Sequence, residues 1–163
     1  MNEGRTIDAL SHAWSGQSRQ TVLDTDFKQG LLFLKLWHAW RLKTNRPRRL
    51  HVIGLLPGLP ERHALQHALQ AKLESLGDKE LLTQLQGMLA VWPLNLPGLH
   101  RLEFESGDVT LTLGVGPIDV VLGRLRARVD RFVLRDIALL PQASRLAAAQ
   151  AQAFILPQHG DIF

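Results

Sequence analysis

Apolar positions along this chain change period several times, and each change marks an element. Thr21-Val22-Leu23 is short, apolar and rich in β-branched residues, which predicts the end of a strand. From Phe27 to Lys43 the apolar positions Leu31, Leu34, Trp37 or His38, and Leu42 recur every three to four residues. That spacing predicts a helix with a broad apolar face, stopped by Asn45 and Pro47. Leu50 to Leu56 is a continuous apolar run between a basic turn and Pro57-Gly58, the pattern of a buried parallel strand. Pro60 opens a further helix through Leu65, Leu69, Leu73 and Leu76, which Gly77 closes. Asp78 is placed to cap the next helix, Lys79 to Val91.

Pro93 and Pro97 then enforce a loop, and 100–105 and 109–113 alternate around Ser106-Gly107-Asp108 as a β-hairpin. A short helix follows over 118–125 and an apolar strand over 129–134. The Ala- and Gln-rich segment 141–154 reads as a helix, and 159–163 as the start of one more strand. Residues 1–19 mix Gly, Ser, Asn and charges, and are expected to form a loose lead-in to a single domain over 20–163. Strands alternating with helices predict an α/β fold with a mostly parallel, Rossmann-like sheet and one hairpin.

Composition narrows the function classes. At 163 residues the chain suits one domain, and 45% apolar with 21% charged residues is ordinary globular usage. No run approaches the ~20 apolar residues of a membrane span, and the N-terminus is polar, so a cytoplasmic protein without membrane partners is expected. The chain has no cysteine, which excludes disulfides, Cys-ligated metals and thiol catalysis. A formal charge of +4 permits contact with nucleic acid or an anionic surface.

Candidate chemistry is sparse. Arg41, Lys43, Arg46, Arg48 and Arg49 place five cations within nine residues and form the candidate nucleic-acid contact. The plainer role of the same cations is to stabilise a helix C-terminus. Trp37 and Trp40 read as packing residues within that helix. His63 and His67 share one helical face, but lack the Glu and third ligand of a zinc site, so no metal is expected. No P-loop and no Gly-x-Ser-x-Gly elbow occurs. The first strand-to-helix turn, Asp24-Thr25-Asp26-Phe27-Lys28-Gln29-Gly30, is where an α/β sheet binds ligands, yet it holds a single glycine.

Several segments, in order, nonetheless resemble one family. Gly30-Leu31-Leu32-Phe33-Leu34 with Trp37-His38-Ala39-Trp40, then Arg49-Leu50-His51, are the first pieces. Trp92-Pro93 with Leu96-Pro97-Gly98-Leu99-His100-Arg101-Leu102 is the most specific, followed by Gly107-Asp108-Val109-Thr110-Leu111. Val129-Asp130 leading to Phe132-Val133-Leu134 completes the series. Together, from about Trp14 to Pro141, they resemble the methyltransferase domain of the MnmC family of tRNA wobble-uridine modification proteins. The resemblance implies a sheet that binds S-adenosylmethionine and methylates an aminomethyl group on the uridine.

The family's functional positions are where the chain departs. Its glycine-rich cofactor loop appears here as Asp24 to Phe33, with Asp26 and Lys28 at two of three glycines and Gly30 retained. The acid that would hold the ribose falls at Leu56. The Gly-Asp pair facing the adenine becomes Gly116-Pro117, and the acid at the reaction site becomes Arg135, beside Asp136 as a weak catalytic candidate. A missing ribose carboxylate leaves hydroxyls unpaired, at about 1–3 kcal/mol, and side chains in the loop obstruct the ligand. The expectation is a pseudoenzyme: scaffold kept, cofactor site erased, no cofactor bound, and a tRNA- or protein-binding role.

The resemblance also suggests a flavin-dependent oxidoreductase as a protein partner. The sheet is expected to be reduced, with its late strands missing and an exposed edge that invites a homo-oligomer or a subunit contact. The alternatives are a divergent, active S-adenosylmethionine-dependent tRNA methyltransferase, or a self-associating structural protein.

Overall fold

The computed structural model describes residues 3–12, 14 and 18–156, so the strand expected over 159–163 lies outside the described residues. Six strands form one sheet: β1 (Arg19–Asp24), β2 (Arg49–Leu56), β3 (Gly98–Phe104), β4 (Val109–Val115), β5 (Val129–Leu134) and β6 (Ala147–Ile155), in the spatial order β3-β4-β2-β1-β5-β6. All neighbours are parallel except the β3–β4 hairpin, whose register runs from Phe104 opposite Val109 to Gly98 opposite Val115. The α/β, mostly parallel reading therefore holds. Six helices accompany the sheet among the described residues: α1 (Glu3–His12), α2 (Leu31–Leu42), α3 (Arg62–Ser75), α4 (Lys79–Ala90), α5 (Ile118–Arg124) and α6 (Leu140–Ala143).

Period-2 alternation divides the strand side chains between two cores. Val22, Leu50, Val52, Leu111, Leu113 and Val133 join the apolar faces of α1 to α4 in the larger one. Leu23, Ile53, Leu55, Phe132 and Leu134 join Val121, Leu122, Ala143 and Leu146 from α5, α6 and the turn after α6 in the smaller one. Local signals explain the boundaries. Asp78 caps α4 by accepting from the N–H groups of Glu80 and Leu81, as its position predicts. Glu61, not Pro60, caps α3, accepting from His63 and Ala64. Gly77 sits at φ +68, the left-handed conformation that closes a helix.

Three expectations change. Residues 3–12 form α1, with Leu10 and Trp14 fully buried, where a loose lead-in was expected. Apolar positions Ile7 and Leu10 carry that helix onto the larger core. The helix expected from Phe27 begins only at Leu31, because Gly30 adopts a left-handed φ of 87 at its start. The Ala- and Gln-rich segment is the edge strand β6 beyond the short α6, pairing in parallel with β5 from Val129–Ala147 to Leu134–Ile155. Helix propensity yields there to the open hydrogen-bonding edge of β5, with Phe154 packing on the larger core and Ala151 on the smaller. The expected reduced sheet thus carries one more parallel strand than the residue pattern disclosed.

Candidate functional site

The sheet order reverses at β1: β2 lies on one side and β5 on the other. Such a switch point opens a crevice at the carboxyl ends of the strands. Here it is a cavity of about 750 Å³, lined by the β1–α2 turn (Asp24 to Leu32), the loop after β2 (Gly58, Leu59, Pro60), Lys72 of α3, and Arg135 after β5. That volume is within the ordinary range of small-molecule pockets.

The β1–α2 turn keeps left-handed backbone at its one remaining glycine and at one of the two replaced positions. Lys28 holds φ 54 and Gly30 φ 87, both left-handed. Phe27 turns inward: its ring packs where a Cβ on Gly30 or Gly54 would stand, 2.7 Å and 2.2 Å from the nearest ring atom. Those two glycines therefore serve the close approach of an aromatic ring, not of a ligand. The side chains at the two replaced positions meet over the cavity. Asp26 Oδ2 lies 3.8 Å from Lys28 Nζ and 3.6 Å from Arg135 Nε. Arg135 is largely buried, so one carboxylate bridges a surface cation and an inner one.

Asp24 ends β1 beneath this network and accepts the Asp26 N–H at 3.0 Å. Burial pushes its carboxyl up to about 6, and the neighbouring Asp26 carboxylate adds to the rise; the Asp26 N–H, Arg135 and Lys28 hold it from rising further. Thr25 Oγ1 donates to Val133 O, tying the turn to β5.

Other expected positions lie elsewhere. Leu56 is in the larger core and does not line the cavity. Gly116 (φ 143) and Pro117 precede α5 and are not among the residues lining the cavity. Asp136 is exposed and caps the short turn over 137–139 by accepting from Ala138 N–H. His63 and His67 are exposed on α3. Lys72, on α3, is the cavity cation that sequence reasoning missed; it sits among helix residues with nothing local to mark it.

The basic string divides. Arg41 bridges Glu80 (2.5 Å) and Glu105 (2.7 Å), which raises its pKa through the Glu80 hydrogen bond first. Arg46 stacks 3.9 Å over the Trp40 ring and donates to the carbonyls of Trp40 and Arg41, closing the end of α2. Lys43, Arg48 and Arg49 are exposed, and Arg49 faces a different part of the molecule, at the start of β2. Trp37 and Trp40 are buried; their indole N–H groups donate to Glu105 and to the Pro47 carbonyl.

Comparison with known proteins adds the family. A protein of Cupriavidus necator named "tRNA 5-methylaminomethyl-2-thiouridine biosynthesis bifunctional protein MnmC" is 40% identical over 131 residues, 80% of this chain and 19% of that protein. One of the same name from Thiobacillus denitrificans is 39% identical over 131 residues, covering 79% and 20%. This chain is an MnmC relative. It spans about a fifth of the length of these curated relatives. The crystal structure of MnmC2 from Aquifex aeolicus shares the fold, with a TM-score of 0.53 at 12% identity over 93% of this chain and 46% of that one. No family model matches the chain.

Proposed function

We propose that this chain is a methyltransferase-fold module of tRNA modification that binds RNA and does not hold S-adenosylmethionine in the family's manner. The tRNA assignment follows from the MnmC relatives. One observation supports the loss of the cofactor: Asp26, Lys28 and Arg135 form a charge network in the lining of the cavity at the strand switch. A cofactor loop works by leaving its backbone bare, so that N–H groups approach the ligand. Here two side chains stand in that approach, and the end of β2 supplies buried Leu56 where a ribose needs a carboxylate. The residues present do not fit the cofactor.

A second reading, an active divergent methyltransferase, is favoured by the cavity itself, which stays open at about 750 Å³. The double variant Asp26→Gly/Lys28→Gly separates the two. Glycine accepts the left-handed backbone at position 28 without the cost of about 1 kcal/mol or more that a lysine incurs there, so the variant retains its fold. Equilibrium titration with S-adenosylmethionine is expected to show binding at least ~10-fold tighter than to the natural chain, a gain of about 1.4 kcal/mol. Equal affinity in the two proteins would show that these side chains are not what keeps the cofactor out.

A further inference from the structure

Parallel sheets are normally covered on both faces. In this one, α1 to α4 cover the whole of one face, whereas α5 and α6 cover only the carboxyl-end half of the other. Strand alternation identifies what the remaining half presents. Thr21 and Arg19 lie on the same side of β1 as Leu23, and His51 and Arg49 on the same side of β2 as Ile53. Register then sets them in rows across the sheet: Arg19 beside Arg49, Thr21 beside His51 beside Thr110, and Arg101 beside Thr112. The α5–β5 loop, Arg126-Ala127-Arg128, edges the same surface. The result is a cleft of about 590 Å³ at the amino ends of the strands, away from the cavity at the switch point.

Five arginines line this cleft: Arg19, Arg49, Arg101, Arg126 and Arg128. All five are exposed. Among the described residues Arg101 alone of the five makes an ion pair, 3.3 Å to Glu103. Among the described residues the one acidic side chain in the lining, Asp130, accepts the Thr21 N–H at 2.8 Å. His51, at the centre, donates or accepts at Thr112 Oγ1 (2.8 Å); burial first, then Arg101 and Arg19, push its pKa down to about 4. Five guanidinium groups thus face one lining carboxylate, Asp130, with Glu103 paired to Arg101, so the cleft carries a net positive field.

We infer that this cleft is a phosphate-binding groove whose occupant is the sugar–phosphate backbone of an RNA. Guanidinium groups offer paired N–H donors that match phosphate oxygens, and backbone contacts of this kind position a nucleic acid without reading its sequence. Length favours a polymer over a single phosphate. Lining residues come from every strand of the sheet, and six strands at ~4.8 Å apart span about 24 Å. That is the length of several nucleotides at ~3.4 Å each along one strand. The phosphate chemistry rests on the arginines alone; that the polymer is RNA rests on the function proposed above.

The test is fluorescence anisotropy of a labelled, unmodified tRNA transcript between about 50 and 200 mM salt. The groove variant is Arg19→Glu/Arg49→Glu/Arg128→Glu, and Arg62→Glu/Lys79→Glu, at the starts of α3 and α4 on the other face of the sheet, is a control. These side chains are exposed, and a cooperative melt verifies that both variants fold. The groove variant is expected to bind at least ~10-fold more weakly, with the slope of log K against log salt reduced by about 2, while the control stays within about twofold. If tRNA binds and the groove variant matches the natural chain, the groove is wrong while the RNA-binding reading stands. If tRNA does not bind, but inorganic phosphate raises the melting temperature of the natural chain and not of the groove variant, the site takes small phosphates and the RNA backbone is overturned, along with the RNA-binding reading. No effect of either probe overturns the groove altogether.

Discussion

Asp24 and His51 occupy opposite halves of the sheet and titrate in opposite senses. Asp24's carboxyl is raised from 3.8 to about 6 by burial, with Asp26, Arg135 and Lys28 as its charged neighbours. The folded state therefore holds a proton that the unfolded chain releases, and Asp24's contribution to stability is lost as pH rises from about 4 to about 6. His51 is lowered from 6.5 to about 4 by burial and by Arg101 and Arg19. Its contribution is lost as pH falls through the same window, because the unfolded chain takes up the proton first. The two slopes oppose each other. Urea unfolding between pH 4 and 6.5 is expected to show Asp24→Asn gaining stability with pH relative to the natural chain, and His51→Gln losing it. Each change is bounded at about 3 kcal/mol across the window. Variants whose pH profiles run parallel to the natural one would contradict both assignments. The Asp26 and Lys28 substitutions were legible from the sequence because an aligned motif put them beside glycines. Burial of Asp24 and the inward turn of Phe27 onto Gly30 and Gly54 were not, since both depend on strands brought together only by the fold.

Elements with strong local signals were legible nearly to the residue: α4 behind its Asp78 cap, the β3–β4 hairpin and the apolar run of β2. Those that depend on partners were not. In α1 the apolar residues are few and interleaved with charges, and only the larger core makes it a helix worth forming. β6 is the sharpest case, since alanine and glutamine favour a helix in isolation. Its strand state makes a directional prediction. Gln152→Val/Ala153→Val places β-branched residues at two exposed positions paired with Arg131 and Phe132. In a strand the change is expected to raise stability by about 0.5–1 kcal/mol, and in a helix to lower it by a similar amount. Thermal unfolding reads the sign; a lower midpoint would contradict the strand.

At the scale of the molecule, the sheet separates two surfaces. Its carboxyl ends carry the cavity with its Asp26–Lys28–Arg135 network, and its amino ends the arginine cleft. The chain's basic balance was plain from composition, but the cations' placement was not. The string at 41–49 drew attention because it is contiguous, yet Arg41 and Arg46 are engaged in ion pairing and helix closure. The cleft gathers its arginines from separate segments, and only the alternation Arg124-Leu125-Arg126-Ala127-Arg128 marks any part of it in sequence. No helix among the described residues is long and apolar enough to cross a membrane.

The central proposal for this molecule is a methyltransferase fold that persists without binding S-adenosylmethionine. Thermal unfolding of the natural chain with millimolar S-adenosylmethionine, and separately with its demethylated product, tests that claim most directly. A ligand present at ~100 times its dissociation constant stabilises a fold by about 2.7 kcal/mol, several degrees for a domain of this size. An unchanged, cooperative melt with either compound is expected. A rise of several degrees would contradict it and make methyl transfer to tRNA the leading function.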